Sequence, residues 1–320
     1  MKKSIFIFTS SFLSATVLEY FFKKNNFLVN GICFQKSFLN KKNNIKQRLK
    51  NYLGQLNFNM KDNFYYIDPY SEEKKKILKY KKKTQIFYWE NKNEGKILDF
   101  LSINKVDFII VAGFKYIHES IYSLSKEFSI NIHPGILPQN KGSSPTQWSI
   151  YLGEKQTGIT IHKLDRKIDS GKILIIKKFK ISQKIDNYKL ETEINKKIPR
   201  VLDNFFFSKF ERKSNKKSPV ITRKNFNRHK SLLDLSNNYD SIHRNLRAMK
   251  PITGLRFLYK GKMICVWQII KVSKNTSNKS GMIRGIDSNG NLLVACKDYN
   301  CKITNVLSFG EILPFSDLRF

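Results

Sequence analysis

The sequence contains few cysteines and no long uninterrupted apolar run. Only four of its 320 residues are cysteines, and they show neither the paired spacing of a metal site nor a disulfide framework. These residues are Cys33, Cys265, Cys296 and Cys301. We therefore expect structural thiols in a reducing compartment, as in a cytoplasmic protein. No segment has the roughly twenty consecutive apolar residues that a membrane-spanning helix needs, so we predict a soluble chain without membrane contact.

Acidic residues are also scarce. The chain has 25 Asp and Glu against 59 Lys and Arg, which gives a formal net charge of +34. Such an excess fits a polyanionic partner such as RNA. It equally fits mutational drift in an AT-rich coding sequence, because Lys, Asn, Ile and Phe are all abundant. The charge therefore supports a nucleic-acid partner without establishing one.

The amino-terminal residues combine a basic start with an apolar run, as a secretory signal would. However, the polar residues 9–11 interrupt the run, and Glu19 lies within its extension. We therefore predict a buried strand over residues 4–8, a turn, and a helix that ends near Lys24. The length of the chain is enough for a large core and makes two domains a natural expectation.

The pattern of apolar runs predicts two different architectures along the chain. The near-continuous apolar run over residues 106–112 is typical of a strand that is covered on both faces. Because strands and helices alternate over residues 1–210, we predict an α/β domain with a doubly wound, mostly parallel sheet. Residues 211–228 have the composition of a basic linker. Short β-like runs separated by turns then predict a small barrel over residues 229–320.

Two polar stretches follow apolar runs in the first domain. One reads Asn131-Ile-His133 and continues into Leu137-Pro138-Gln-Asn-Lys-Gly142, and the other reads Asp169-Ser170-Gly171. Ligands and catalytic groups collect at strand ends in parallel α/β sheets. Considered alone, the first stretch fits equally well an ordinary strand end whose Asn and His only close a turn.

Together the two stretches resemble the formyltransferase family that uses 10-formyltetrahydrofolate, whose signature is Asn-x-His, Leu-Pro-x-x-x-Gly and Asp-x-Gly. The resemblance implies catalytic roles for Asn131, His133 and Asp169. It also implies a folate pocket bordered by further residues, namely Ala112, Gly113, Phe114, Leu137, Pro138, Gly142, Ser170 and Gly171. The co-substrate would be 10-formyltetrahydrofolate, and the reaction requires neither a metal nor a covalent enzyme intermediate.

The chemistry of formyl transfer explains why such side chains are needed. An amine nitrogen attacks the formyl carbon, and negative charge builds on the formyl oxygen. A well-placed donor to that oxygen contributes about 3 to 4 kcal/mol to transition-state stabilisation. We expect His133 to be this donor and Asn131 to orient the formyl group. Asp169 would raise the pKa of the His133 imidazole and relay the proton that the amine loses.

Residues 246–267 resemble the carboxy-terminal domain of methionyl-tRNA formyltransferases, in which an Arg-Ala-aromatic-x-Pro run opens a small barrel. The basic segment 35–57 resembles an insertion that reaches toward the acceptor stem in those enzymes, although a solvated helix face explains it equally well. The resemblance implies that initiator tRNA contacts this segment, the linker and the carboxy-terminal domain of a monomer. The Gly-Thr-Pro-like turn of those enzymes is replaced here by Phe-Thr-Ser-Ser-Phe at residues 8–12.

Three functions are therefore compared. The favoured acceptor is the amino group of methionyl initiator tRNA, and the rival is a nucleotide-linked amino sugar. A basic RNA-binding protein that has lost catalysis is the alternative from another class, but the intact Asn-His-Asp set argues against it. His162 alternates along a predicted strand, and we interpret it as structural.

Overall fold

The computed structural model describes residues 1–36, 71–89, 94–208, 226, 230–251, 254–277, 279–308 and 311–318. Apart from residues 35 and 36, the predicted basic segment 35–57 lies outside the described residues. The predicted linker 211–228 also lies outside them, apart from Phe226.

The described amino-terminal part is built around one seven-stranded sheet. Its strands are β1 (Lys3–Thr9), β2 (Phe27–Gln35), β3 (Gln85–Trp89), β4 (Phe108–Ala112), β5 (Phe128–His133), β6 (Gln156–Lys163) and β7 (Ile173–Lys180). Their order across the sheet is β3-β2-β1-β4-β5-β6-β7. The first five strands are parallel to one another, whereas β6 is antiparallel to β5 and β7 is antiparallel to β6. The predicted doubly wound, mostly parallel sheet is confirmed.

Helices connect and cover these strands. They are α1 (Ser14–Lys23), α2 (Ser71–Leu78), α3 (Glu94–Asn104), α4 (Glu119–Tyr122), α5 (Pro145–Tyr151), α6 (Asn187–Phe207) and α7 (Tyr239–Met249). Short 3-10 helices span Lys79–Lys82 and Phe315–Asp317. The start of α6 is stabilised by the Asp186 carboxylate, which accepts a hydrogen bond from the Lys189 backbone N–H at 2.9 Å.

The apolar side chains of β1 divide between the two faces of the sheet. Ile5 and Ile7 belong to the core on one face, whereas Phe6 and Phe8 belong to the core on the other. This division follows from the two-residue period of a strand. All five residues of β4 are buried, as the continuous apolar run predicted for a strand that is covered on both sides. The carboxyl ends of β1, β4 and β5 therefore reach the same edge of the sheet from a rigid core.

The carboxy-terminal part contains a second, antiparallel sheet. Its strands are β8 (Leu255–Tyr259), β9 (Lys262–Lys274), β10 (Met282–Ile286), β11 (Leu292–Ala295), β12 (Tyr299–Ser308) and β13 (Glu311–Pro314). The strand order is β10-β11-β12-β9-β8, and β13 pairs with β12. This curled sheet is consistent with the small barrel that the sequence predicts. The division into residues 1–210, 211–228 and 229–320 stays a prediction.

Among the helices in the described ranges, none is long and apolar enough to cross a membrane. All four cysteines are buried and carry free thiols.

Candidate active site

A cavity of about 610 Å³ opens beyond the carboxyl ends of β1, β4 and β5. Four segments contribute most of its wall, namely residues 10–13, 113–117, 131–134 and 142–147. His162, Asp169 and Glu191 line it as well. Strand ends and the loops that follow them therefore build the cavity, as is usual for ligand sites of open α/β sheets.

The structure brings the three predicted catalytic side chains together at this cavity. The Asn131 amide donates through Nδ2 to Oδ1 of Asp169 at 3.2 Å. Nδ1 of His133 lies 3.5 Å from Oδ2 of the same carboxylate. Asn131 and His133 point to the same side because they are two residues apart on β5, whereas Asp169 arrives from a turn between β6 and β7.

The Asp169 carboxylate is held as an anion. The backbone of Asp169 is left-handed, with φ +49°. Oδ2 of its side chain accepts a hydrogen bond from the Gly142 backbone N–H at 2.8 Å. Burial alone would raise the pKa of this carboxyl. The interactions with His162, His133 and the Gly142 N–H outweigh burial and lower the pKa to about 2.

His133 has one nitrogen committed to the protein. Nε2 lies 2.7 Å from the backbone carbonyl oxygen of Asn140, and because a carbonyl only accepts, Nε2 carries a hydrogen. In the neutral ring, Nδ1 is therefore the unprotonated nitrogen, and it faces Asp169. Burial lowers the pKa of His133 below its usual value, although the charge of Asp169 opposes this shift. Asp169 thus raises this pKa as expected from the sequence, but burial is the larger effect.

His162 belongs to the same polar cluster, which the sequence analysis did not predict. Nδ1 donates to the Lys163 carbonyl oxygen at 2.8 Å. Nε2 lies 3.1 Å from Nδ2 of Asn131 and 3.4 Å from Oδ1 of Asp169. The reason is that β6 runs antiparallel beside β5 and pairs His162 directly with Asn131. The interpretation of His162 as a structural residue therefore did not anticipate its position in the cavity wall.

The residues predicted to border the folate pocket fall into two groups. Gly113, Phe114 and Gly142 line the cavity. The others lie outside its wall and are Ala112, Leu137, Pro138, Ser170 and Gly171. Ala112 ends β4, and the other four residues lie in the loops that carry the two sequence motifs, residues 137–142 and 169–171.

The contacts of this second group show how they support the wall. The Ala112 carbonyl oxygen accepts from Oγ1 of Thr9 at 2.8 Å, which connects the ends of β4 and β1. Ser170 joins the two motif loops, since its Oγ lies 2.7 Å from Nζ of Lys141. A Cβ on Gly171 would lie 1.9 Å from the Lys163 carbonyl oxygen, so glycine permits a close backbone approach there.

Lys115 and Glu191 are charged residues of the cavity wall that no sequence pattern indicated. The Lys115 ammonium lies 4.8 Å from the centroid of the Trp89 ring, and burial lowers the pKa of this lysine. Glu191 is only 7% exposed and accepts from the Asn187 amide at 3.0 Å. Both arise from segments with no local motif, and only the folded arrangement brings them to the cavity.

In the described part of the chain, no group of three or more His, Cys, Asp or Glu could hold a metal ion.

Comparisons with known proteins identify the family. Residues 41–204 match the family described as Formyl transferase, and residues 225–317 match the one described as Formyl transferase, C-terminal domain. A methionyl-tRNA formyltransferase of Finegoldia magna is 30% identical over 223 residues, which are 65% of this chain and 69% of the relative. The bifunctional polymyxin resistance protein ArnA of Wigglesworthia glossinidia brevipalpis is 30% identical over 73% of this chain and 36% of its own length.

Solved structures share the fold at lower identity. A sugar N-formyltransferase from a Shewanella species superposes with a TM-score of 0.57 at 15% identity, covering 84% of this chain and 97% of its own. HypX from Aquifex aeolicus in complex with tetrahydrofolic acid gives a TM-score of 0.55 at 15% identity over 98% of this chain. This chain spans only 46% of that protein's length. From the two family matches and the relatives named above, this chain belongs to the formyltransferase family.

Proposed function

We propose that this formyltransferase moves the formyl group of 10-formyltetrahydrofolate to the amino group of methionyl initiator tRNA. The proposal rests on one observation: the side chains of Asn131, His133 and Asp169 lie close together at one cavity beyond the strand ends. An amide, an imidazole and a carboxylate together can orient a formyl group and move a proton.

Three observations support the choice of donor. The cavity of about 610 Å³ lies within the size range of small-molecule sites. Gly113 and Phe114, which the family resemblance assigns to the folate pocket, line its wall. A protein of similar fold has been crystallised with tetrahydrofolic acid. We propose that the donor lies along this wall with its formyl carbon beside Asn131.

The protonation state of His133 suggests the order of the proton transfers. The buried ring is neutral in the free protein, with its hydrogen on Nε2, so Nδ1 takes the proton that the attacking amine loses. The imidazolium formed in this way is stabilised by the Asp169 anion. It then gives the proton to N10 of the folate as the bond between N10 and the formyl carbon breaks. As negative charge builds on the formyl oxygen, Nδ2 of Asn131 exchanges its contact with Asp169 for a hydrogen bond to that oxygen. Asn131 rather than His133 takes this role in the proposal, because the Nε2–H of His133 donates to the Asn140 carbonyl oxygen.

The choice of acceptor is supported by the relatives and by charge. Several relatives are named methionyl-tRNA formyltransferases, and the carboxy-terminal family match covers residues 225–317. The net charge of +34 favours a polyanionic acceptor. We propose that a monomer binds the initiator tRNA through the segment 35–57, the linker 211–228 and the carboxy-terminal domain, and that the enzyme acts in the cytoplasm.

A second acceptor class has its own support. Sugar N-formyltransferases share the fold, with a TM-score of 0.57 for the Shewanella protein. In addition, the turn after β1 departs from the pattern of methionyl-tRNA formyltransferases at residues 9–11. The alternative is therefore N-formylation of a nucleotide-linked amino sugar.

The acceptor assay separates these two functions. Purified protein is incubated with formyl-labelled 10-formyltetrahydrofolate and either methionyl initiator tRNA or a panel of nucleotide-linked amino sugars. We expect label in the aminoacyl-tRNA, none with uncharged initiator tRNA, and little with methionyl elongator tRNA. Label that enters only an amino sugar would replace the proposed acceptor. Salt-dependent tRNA binding without any formyl transfer would instead support the RNA-binding alternative.

A further inference from the structure

The loop that follows His133 contains a buried asparagine at an unspecified position of the family motif. Asn140 is 1% exposed. Its amide donates through Nδ2 to Oγ of Ser149 at 3.1 Å and to Oε2 of Glu154 at 3.0 Å. Ser149 lies on α5, and Glu154 follows the end of that helix. The side chain therefore ties the loop to a packed element from two directions.

The backbone of the same residue contacts His133. The Asn140 carbonyl oxygen accepts from Nε2 of His133 at 2.7 Å, and the Asn140 N–H donates to the Ile136 carbonyl oxygen at 2.9 Å. Gly135 approaches the same edge of the ring closely, since a Cβ at that position would lie 3.0 Å from Nε2. This short contact favours the hydrogen on Nε2, against the pull of the more distant Asp169 carboxylate on Nδ1.

The tautomer matters for the chemistry proposed above. A neutral imidazole has one donor nitrogen and one acceptor nitrogen, and the hydrogen bond made by one of them selects the role of the other. With the hydrogen on Nε2, Nδ1 has a free electron pair beside Asp169 and can take a proton. With the hydrogen on Nδ1, that nitrogen could not act as a base. A shift of the loop carbonyl would therefore remove basic character from the nitrogen beside Asp169.

We propose that Asn140 is a positioning residue for formyl transfer: its side chain holds the loop carbonyl that keeps the hydrogen of His133 on Nε2. The inference rests on the proposed role of His133 as the proton carrier. It goes beyond that role because it assigns the tautomer to a contact between Asn140, Ser149 and Glu154, none of which lines the cavity.

A donor–acceptor exchange tests the contact. Asn140→Asp alone places two carboxylates against each other. Adding Glu154→Gln restores a hydrogen bond of the same length and shape, with the introduced glutamine donating to the introduced carboxylate. Glu154→Gln alone keeps an acceptor for the asparagine amide. Asn104→Asp makes the same change at an exposed asparagine whose amide donates only locally, to the Phe100 carbonyl oxygen, and serves as the matched control.

Two readouts are measured. Nitrogen-15 NMR of the ring nitrogens reports the tautomer of His133 without any substrate, and steady-state kinetics reports kcat and KM. For Asn140→Asp we expect a mixed tautomer population and a kcat reduced about tenfold to a hundredfold, with KM values for both substrates within about twofold. Glu154→Gln alone should retain the Nε2–H form and most of kcat. Adding the same change to Asn140→Asp should restore both. Should Asn140→Asp not fold, Ser149→Ala removes one acceptor of the amide and is expected to move both readouts in the same direction.

The outcomes separate this inference from the proposed function. An unchanged tautomer in Asn140→Asp, or a lowered kcat that the double variant fails to recover, would overturn the positioning role and leave the acceptor assay untouched. A shifted tautomer that the double variant restores would support the positioning role even if the wild-type protein formylated neither proposed acceptor.

Discussion

Oδ2 of Asp169 lies 3.5 Å from Nδ1 of His133, and the two side chains are only 9% and 5% exposed. In such a dry environment, the attraction between a carboxylate and a newly formed imidazolium is far stronger than in water. The pair can therefore hold a neutral histidine before the reaction and stabilise its protonated form during the reaction.

Removing the charge of Asp169 should slow the chemical step. Asp169→Asn keeps the size of the side chain but leaves the imidazolium of His133 without its anion, so we expect kcat to fall about a hundredfold to ten-thousandfold. Single-turnover formyl transfer measures this directly. Asp165→Asn changes an exposed carboxylate at the same cavity and should stay within about threefold of wild type. Equal rates for Asp169→Asn and wild type would contradict the proposed role.

Stability should fall as the solution is acidified. The folded-state pKa of His133 is lowered from 6.5 and that of Asp169 is lowered from 3.8 to about 2, so the unfolded chain binds more protons than the folded one below neutral pH. By linkage, the free energy of unfolding decreases below about pH 6.5 and decreases further between about pH 4 and pH 2. Asp169 accounts for about 2 kcal/mol of the total.

Urea unfolding at a series of pH values tests this expectation. Asp169→Asn should lose the part of the decrease between pH 4 and pH 2 that Asp169 contributes, because the replaced side chain no longer titrates. A protein that becomes more stable as the pH drops from 7 to 5 would contradict the lowered pKa of His133.

Replacing His162 should impair catalysis even though the sequence motif does not include it. His162→Leu removes the ring nitrogen that lies 3.1 Å from the Asn131 amide and 3.4 Å from the Asp169 carboxylate. We expect kcat to fall about tenfold or more, since both groups lose a neighbour that fixes their orientation. His118→Leu, at an exposed histidine, is the control and should retain its rate. Wild-type kcat in His162→Leu would show that Asn131 and Asp169 hold their positions without it.

The contrast between His133 and His162 shows how far the sequence could predict this site. Asn131 and His133 are neighbours on one strand, so local alternation and a short motif were enough to place them on one side. His162 reaches the same cluster only because β6 turns back antiparallel to β5 in one particular register. Register between distant segments depends on packing along the whole sheet, and no local pattern encodes it.

The same limit applies to electrostatics. The sequence correctly indicated that a carboxylate raises the pKa of a neighbouring imidazole. It gave no measure of the burial that lowers the pKa of His133 more strongly. By contrast, the seven-stranded sheet was predictable, because the continuous apolar run that became β4 and the alternating strands and helices are local features.

Gln147 connects the cavity wall to the carboxy-terminal part of the chain. Its side chain is 5% exposed and donates through Nε2 to the Ala248 carbonyl oxygen on α7 at 3.0 Å. Gln147→Leu removes this bond, and we expect the free energy of unfolding to fall by about 1 to 3 kcal/mol. Because α5 also forms part of the cavity wall, a shift of this helix should raise the KM of the folate donor or of the acceptor. Gln156→Leu, at an exposed glutamine of β6, is the control and should change neither the free energy of unfolding nor the KM. Equal values for the two variants would show that the Gln147 side chain does not connect the cavity wall to α7.

A side chain at Gly113 should lower stability and weaken binding of the folate donor. Its φ is +62°, and a Cβ there would lie 2.0 Å from Oγ and 2.3 Å from Cβ of Ser11. Gly113→Ala therefore combines backbone strain with a clash between two walls of the cavity, and we expect a loss of about 1 to 3 kcal/mol in stability with a raised KM for the folate donor.

A second change separates the clash from the strain. Ser11→Gly in the Gly113→Ala background removes the atoms that the new Cβ would meet, so it should recover the KM for the donor while the cost of the left-handed backbone remains. Gly95→Ala is the control, since a Cβ at that helical position meets nothing within 4 Å and should leave stability unchanged or slightly raised. If the double variant recovers stability but not the KM, then the cavity wall at Gly113 does not border the donor.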